Sequence, residues 1–205
     1  MIEESADLAR NRPGDAVRKK LAELEPNPVK RLFVRWSRDP EVRSWASGLV
    51  GERFTGRRLN RLGRQWKVLH AVQWATGSDI DHLAVGPAGV FAVNSKRHKD
   101  KTVWYGDHAI TVNRAPTRHI AISQDEARRI ARVLTRHCGF PVPVRPVIAV
   151  VDAAKLTVKN AAPPVLVLEA VELPRHLAGL SPVLTADQAK HIYDVARDAR
   201  TWTQA

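Results

Sequence analysis

Two acidic residues, an amide and a lysine occur in a pattern that could support chemistry on phosphate esters. Residues 79–85 and 90–93 are short apolar runs separated by a glycine- and proline-containing turn, which predicts a β-hairpin. Side chains alternate faces along a strand, so Asp79 and Asp81 share one face of the first strand, and Asn94 and Lys96 share one face of the second. The hairpin places Asp81, Asn94 and Lys96 at one end. An acid, an oxygen ligand and a cation together suit phosphodiester hydrolysis.

A third acidic residue lies on the face of a helix that should meet the core. Residues 41–62 have the periodicity of an amphipathic helix, and Glu52 falls in the middle of its apolar stripe. An unpaired buried carboxylate costs several kcal/mol, so a cation, a metal or a hydrogen-bond network must meet it. An arginine-paired structural role is the alternative. Gly48 and Gly51 weaken the helix but would let a backbone or a phosphate come close.

The remaining elements predict an α/β fold with a central mixed sheet of about five strands flanked by helices. Residues 66–74 form the first strand, and a second hairpin turns at Gly106 and Asp107. Residues 119–138 form a long helix, whose N-terminus is predicted at Ser123 from the capping-box spacing to Glu126. Further strands follow at 146–151 and 165–168. Thr185 and Gln188 form a second capping box that opens a last helix.

The first 40 residues are predicted to be a basic N-terminal helical extension of a domain spanning residues 41–205. Residues 14–24 favour a short helix that Pro26 and Pro28 end. We expect the extension to pack on the domain through Leu32, Phe33 and Trp36. An arm that contacts DNA is the alternative.

The chain is strongly basic, with 33 Lys and Arg against 21 Asp and Glu, a net charge of +12 and an isoelectric point near 10.5. Such a field favours nucleic acid first and an anionic membrane surface second, although a generally basic surface has the same composition. Two basic groups could follow a phosphate backbone or form a solvated face. They are Arg97, His98, Lys99 and Lys101 after the second hairpin strand, and Arg128 and Arg132 on the long helix.

Cysteine content and hydropathy restrict the compartment. Cys138 is the only cysteine, which excludes an intramolecular disulfide and a cysteine-rich zinc site. The N-terminal residues do not resemble a signal peptide, and no apolar stretch approaches the ~20 residues that span a bilayer. We therefore expect a cytoplasmic protein with no membrane partner.

Taken together, Gly48-x-x-Gly51-Glu52, Asp79-Ile-Asp81-His82, Gly86-Pro-x-Gly89 and Asn94-x-Lys96 resemble the nuclease-related (NERD) domain, which is grouped with the PD-(D/E)-x-K nucleases. The resemblance covers roughly residues 45–150. It implies a restriction-endonuclease-like core and metal-dependent cleavage of phosphodiester bonds, with DNA as the expected substrate. It also implies that Glu52 and Asp81 hold Mg²⁺ or Mn²⁺, that Asp79 is a secondary ligand, and that Lys96 assists the attacking water.

Asn94 departs from the family pattern, which has a carboxylate at this position. The amide oxygen can still coordinate a metal, and His82 and His98 are near enough in sequence to assist. Three interpretations stay open: a nuclease with a weakened metal site, a nucleic-acid-binding module that no longer cuts, and a protein-interaction domain that uses the tryptophan-rich N-terminal helices.

Overall fold

The computed structural model describes residues 7–106, 109–159 and 162–203. Seven α-helices and nine strands lie within these residues. The helices are α1 (Asp15–Leu24), α2 (Pro28–Arg31), α3 (Pro40–Leu59), α4 (His119–Cys138), α5 (Leu173–Ala178), α6 (Ala186–Arg197) and α7 (Arg200–Thr203). The strands are β1 (Lys67–Gln73), β2 (Asp79–Gly86), β3 (Gly89–Arg97), β4 (Thr102–Tyr105), β5 (Ile110–Val112), β6 (Ala115–Pro116), β7 (Val144–Val151), β8 (Lys155–Val158) and β9 (Leu166–Glu169).

A five-stranded mixed sheet in the order β1-β2-β3-β7-β9 forms the centre of the fold. The first three strands are antiparallel, and β2 and β3 form the predicted hairpin with Gly86 opposite Gly89. Strands β3, β7 and β9 run parallel, with α4 in the crossover from β3 to β7. The predicted α/β fold with a central mixed sheet is confirmed.

The second hairpin does not join this central sheet, although we expected its strands to be part of one sheet. Strands β4 and β5 pair with each other as predicted, but they belong to a separate four-stranded sheet in the order β6-β5-β4-β8. The parallel strand β8 was missing from the prediction. Val103, Tyr105 and Ile110 pack against Ile148 and Val150 of β7. The hairpin therefore buries its apolar residues on the face of the central sheet instead of pairing with an edge strand of that sheet.

Helices cover both faces of the central sheet. One cluster joins Val90 and Ala92 of β3 to Ile130 of α4 and Ile192 of α6, and the opposite cluster joins Phe91 of β3 to residues of α3 and α5. Alternating β3 side chains therefore enter different cores, as the strand period requires. No helix in the described part of the chain is long and apolar enough to cross a membrane.

The N-terminal helices pack on α3, but not through the predicted residues. Val17 and Leu21 of α1 are buried against Val42 of α3. Leu32 and Trp36 are 74% and 64% exposed, and Phe33 is exposed as well. The prediction that these three side chains attach the extension to the domain is wrong, because Val17 and Leu21 of α1, with Val34 of the following segment, make the apolar contacts to α3 instead.

The start of α4 also differs from the prediction. The helix begins at His119, with Arg118 at the N-cap and no side-chain capping bond, so Ser123 lies inside the helix and is buried. Glu126 is therefore not a capping residue. The capping box predicted at Thr185 and Gln188 is confirmed at the start of α6.

Two glycines of α3 have different surroundings, so substitutions at these positions should change stability in opposite directions. A Cβ atom at Gly56 would lie 2.3 Å from Cγ of Pro13, whereas one at Gly48 would meet nothing within 4 Å. We expect Gly56→Ala to lower the free energy of unfolding by about 1–3 kcal/mol through overpacking. Gly48→Ala should raise it by up to about 1 kcal/mol through helix propensity.

Denaturant unfolding of the two variants beside the native protein measures both effects. Equal stabilities for the two variants would contradict the close packing of residue 13 on α3.

Candidate metal centre

The candidate site lies where β2 and β3 separate. Their ladder ends at the pair His82 and Val93. Beyond it, the Asp81 Oδ2 atom accepts a hydrogen bond of 2.7 Å from the Ser95 backbone N–H. On the other side of β2, Ala71 of β1 has a φ of 49° and leaves the ladder opposite Asp81. The side chain of Asp81 thus replaces a strand contact and is fixed at the opening between the strands.

Three carboxylates converge at this opening. Oxygen atoms of Glu52, Asp79 and Asp81 all lie within 4.8 Å of one another, forming the one acidic group of this kind found among residues 7–106, 109–159 and 162–203. Glu52 is only 5% exposed. Glu52 Oε2 and Asp79 Oδ2 are both buried and have no hydrogen-bond partner in the described part of the protein. The expected convergence of a helix acid and a strand acid is present.

A fourth carboxyl group, that of Glu126, belongs to the opposite face of the sheet; it lies outside the group of three acids but within electrostatic reach of Asp79 and Asp81. Glu52 belongs to α3, and Glu126 belongs to α4 on the other face. The Asn94 Nδ2 atom donates a hydrogen bond of 2.6 Å to Glu126 Oε2. The opening between β2 and β3 is therefore approached by acids from helices on both sides.

Burial and mutual repulsion raise the pKa values of these acids. Burial raises the pKa of Glu52 to about 9, with further increases from the charges of Asp81 and Asp79. The same causes raise the pKa of Asp79 to about 6 and that of Glu126 to about 7. Burial also raises the pKa of Asp81, although Lys96 and the Ser95 N–H oppose the shift.

Lys96 provides the positive charge that acts on all of these acids. Its ammonium group lowers the pKa of each of the four carboxyl groups, which places it within electrostatic reach of all of them. Asn94 is buried on the same strand two residues earlier. Because its amide nitrogen points to Glu126, its amide oxygen is directed away from that carboxyl group.

His82 lies on the other face of β2 and belongs to a buried hydrogen-bond chain. Its Nδ1 atom is 2.9 Å from Nδ1 of His70, and its Nε2 atom is 3.2 Å from Ser95 Oγ. His70 continues the chain to Asn60 Oδ1 at 3.1 Å. Burial lowers the pKa of both histidines to about 3, so both rings are neutral. Because Asn60 caps the C-terminus of α3, this chain links α3 to the two site strands.

The basic residues named from the sequence divide into internal and exposed groups. Arg97 binds Asp152 at 2.6 Å and Ser47 at 3.2 Å, and its backbone packs against Gly51. Lys99 and Lys101 are exposed just beyond β3, and Arg128 and Arg132 are exposed on α4. Arg128 pairs with Asp125. The close approach that Gly51 permits is therefore to the backbone of β3.

His98 stacks on His119 of α4, with ring centroids 5.5 Å apart. Both Nε2 atoms are buried without a hydrogen-bond partner in the described structure. Burial lowers the pKa of both rings, that of His119 to about 4, and the positive charge of Lys96 adds to each shift. The pair therefore lies beside Lys96, at the rim of the acidic cluster.

The donor set fits a hard divalent cation. Mg²⁺ and Mn²⁺ prefer carboxylate, carbonyl and water oxygens, and the cluster offers carboxylate oxygens from three acids. The unpartnered, buried Glu52 Oε2 atom indicates that a positive charge belongs beside it, because a lone buried carboxylate otherwise stays protonated.

An α/β core that gathers acids from a helix and a strand, beside a lysine on the neighbouring strand, defines the PD-(D/E)-x-K-like class of nuclease folds. The family model described as the nuclease-related domain (NERD) matches residues 47–151, just over half of the chain. The chain belongs to the nuclease-related domain family. Neither the curated proteins nor the solved structures contain a match to it.

Sequence reasoning missed Glu126 and the pairing of His70 with His82. Glu126 lies one helical turn before Ile130, at the edge of the apolar face of α4, which is the same signal that identified Glu52 on α3. The capping-box spacing to Ser123 gave a competing explanation. No local pattern joins His70 to His82, because their contact depends on the register of β1 and β2.

The raised pKa of Glu52 predicts how stability depends on pH in the absence of metal. The folded protein holds this proton up to a pKa of about 9, whereas the ordinary value is 4.5. The folded state therefore binds more protons than the unfolded state between these values, and the free energy of unfolding falls as the pH rises through this range. Glu52→Gln should reduce that slope and stabilise the metal-free protein at pH ~8 by at least about 1 kcal/mol.

Denaturant unfolding at several pH values in the presence of a chelator measures this slope. Glu169→Gln, which changes an exposed acid at the end of β9, is the matched control and should keep the native profile. An unchanged slope in Glu52→Gln would show that the Glu52 carboxyl group is not buried in its neutral form.

Proposed function

We propose that the protein is a metal-dependent nuclease that hydrolyses phosphodiester bonds, with DNA as its substrate. The observation that carries the proposal is the convergence of Glu52, Asp79 and Asp81 within 4.8 Å, with one Glu52 oxygen buried and unpartnered. Membership of the nuclease-related family supports the reaction class. A purely structural acidic cluster would be expected to contain an arginine or a saturated hydrogen-bond network.

Asp81 and Glu52 would hold Mg²⁺ or Mn²⁺, with the amide oxygen of Asn94 as a neutral ligand and Asp79 as a secondary one. Their oxygen atoms are of the type that these cations bind. When bound, the cation neutralises charge on the scissile phosphate and lowers the pKa of water.

The chain's own groups orient the reaction. The Ser95 N–H holds the Asp81 carboxylate in one orientation at the strand opening. Lys96 carries its ammonium group beside the carboxylates, where it can stabilise negative charge that develops on phosphate oxygens and orient the attacking water. Asn94 and Lys96 project from the same face of β3, so both can act on one phosphate group.

The basic rim would bind the nucleic-acid backbone. Lys99 and Lys101 follow β3 directly after the site, and Arg128 and Arg132 are exposed on α4, the helix that carries Glu126. Phosphate contacts of this kind carry no sequence information and weaken with salt. Arg97 and His98 would act from beneath this rim by supporting its backbone. We propose the cytoplasm, where nucleic acid is accessible, as the compartment.

A nucleic-acid-binding module that does not cut is the second candidate. The observation that favours it is Asn94, since an amide replaces the carboxylate of the family motif and removes one negative charge from β3. Such a module would retain nucleic acid with a steep salt dependence and would have no metal requirement.

Substitutions of Asp81 and Lys96 test the nuclease directly. Asp81→Asn can still accept the Ser95 hydrogen bond but loses a charged ligand, so we expect it to abolish Mg²⁺- or Mn²⁺-dependent cleavage and to weaken stabilisation by Mn²⁺. Lys96→Met should keep Mn²⁺ binding and lower the cleavage rate by at least about 100-fold. Cleavage of labelled DNA and thermal unfolding with and without Mn²⁺ measure the two effects.

Asp187→Asn, an exposed acid in the first turn of α6, is the control and should behave as the native protein. Native cleavage in Asp81→Asn would refute the site assignment, and cleavage without a divalent cation would refute the metal requirement.

Binding to nucleic acid is tested by the salt dependence of affinity. Removing both exposed lysines in Lys99→Ala/Lys101→Ala should weaken DNA binding and reduce the slope of log affinity against log salt by up to ~2. The matched control is Lys67→Ala/Lys190→Ala, which removes two lysines from a cavity beside Val85, at the opposite end of β2. Fluorescence anisotropy with double-stranded DNA, single-stranded DNA and RNA measures the slope and the substrate class. Equal losses in both double variants would assign binding to general charge.

A further inference from the structure

Glu126 of α4 is an acidic residue near the site that does not belong to the family motif. It is half-buried, and its Oε2 atom accepts the 2.6 Å hydrogen bond from Asn94 Nδ2. The negative charges of Asp81 and Asp79 and the positive charge of Lys96 all act on it. It therefore belongs to the electrostatic environment of the candidate metal centre.

The other roles open to Glu126 are filled by different residues. It does not cap α4, because the helix begins at His119, more than one turn earlier. The neighbouring acid Asp125 is the one that pairs with Arg128 on the helix surface. Arg129, the next cation along the helix, lies over the Trp74 ring at 3.9 Å. The Glu126 side chain points inward to the sheet instead.

The partner of Glu126 is the residue at which the chain departs from the (D/E)-x-K pattern. An acid at position 94 would face the Glu126 carboxylate at hydrogen-bond distance, and two such groups could not both ionise. Asn94 removes that repulsion and supplies a donor. One Glu126 oxygen is then held by the amide, while the second Glu126 oxygen and the Asn94 amide oxygen remain as potential ligands.

We propose that Glu126 supplies the carboxylate that β3 lacks, so that Asn94 and Glu126 together replace the acidic ligand of the (D/E)-x-K motif. The negative charge comes from α4, and Asn94 orients it. This inference rests on the proposed metal-dependent function of the same site. Under this proposal, acids from α3, β2 and α4 hold the metal, and the site is not weakened by the amide at position 94.

Glu126→Gln separates a ligand from a structural partner. Glutamine keeps the size of the side chain and can still accept a hydrogen bond from Asn94 through Oε1, so only the charge is lost. Isothermal titration of the metal-free protein with Mn²⁺ at pH ~8 measures the effect without any requirement for catalysis. We expect Mn²⁺ affinity to fall about 10-fold or more.

The adjacent residue and the motif position provide the controls. Asp125→Asn removes a negative charge one residue away on the outer face of α4 and should leave Mn²⁺ affinity within about 2-fold of native, because exposed charges are screened. Asn94→Asp/Glu126→Gln restores an acid on β3 beside a neutral donor and should recover most of the native affinity. Asn94→Asp alone should not raise affinity, because it places two acids in contact.

The outcomes separate this inference from the proposed nuclease function. Native Mn²⁺ affinity in Glu126→Gln, with an unchanged unfolding midpoint, would overturn the role of Glu126 even if the native protein cleaves DNA. A loss of Mn²⁺ affinity in Glu126→Gln together with recovery in the double variant would support it, even if the native protein binds metal without cutting. Absence of Mn²⁺ binding to the native protein would overturn both.

Discussion

The burial of the Glu52 carboxyl group is the constraint on which the rest of the site depends. A charge at this position has little contact with water, and its acidic neighbours are Asp79 and Asp81, which in turn act on Glu126. Lys96 supplies one positive charge for four acids, so the ionised cluster is not neutral. In the metal-free protein, protons on the carboxyl groups relieve the repulsion, and for this reason the pKa values of these groups are raised. A divalent cation would replace those protons, so that metal binding and proton release are coupled.

The fold maintains this unfavourable grouping by fixing the backbone around it. The ladder between β2 and β3 ends at His82, the residue after Asp81, and the Ser95 N–H that would otherwise lose its partner bonds to the Asp81 side chain. On the opposite face, His82 and His70 connect Ser95 to Asn60 at the C-terminus of α3. Gly51 lets α3 approach the backbone of β3 closely enough for the next residue to reach the acids. The large apolar clusters on both faces of the sheet supply the stability that the acidic cluster removes.

Local sequence patterns were sufficient to predict the central sheet and the elements that carry about half of the site residues. The alternation along β2 and β3, the helical stripe of α3 and the crossover before β7 are short-range signals, and they located Glu52, Asp81, Asn94 and Lys96 correctly within their elements. The second sheet depends on the parallel pairing of β4 with β8, which are about 50 residues apart, and no local pattern encodes that pairing. The exposure of Leu32 and Trp36 has a similar origin, because the apolar residues that pack on α3 are selected by tertiary contacts of α1 and Val34, which no local pattern encodes.

The same limitation governs how Asn94 should be interpreted. Along the sequence, an amide in place of an acid is a loss of charge, and a module that only binds nucleic acid becomes a reasonable conclusion. In space, the Glu126 carboxyl group of α4 lies 2.6 Å from that amide, so under the proposed role of Glu126 the acid is supplied from a different position in the chain. If the carboxyl groups of this site were all ionised, they would repel a phosphate group. Protons relieve this repulsion in the metal-free protein, and in the proposed function a divalent cation would relieve it when a phosphate group is bound.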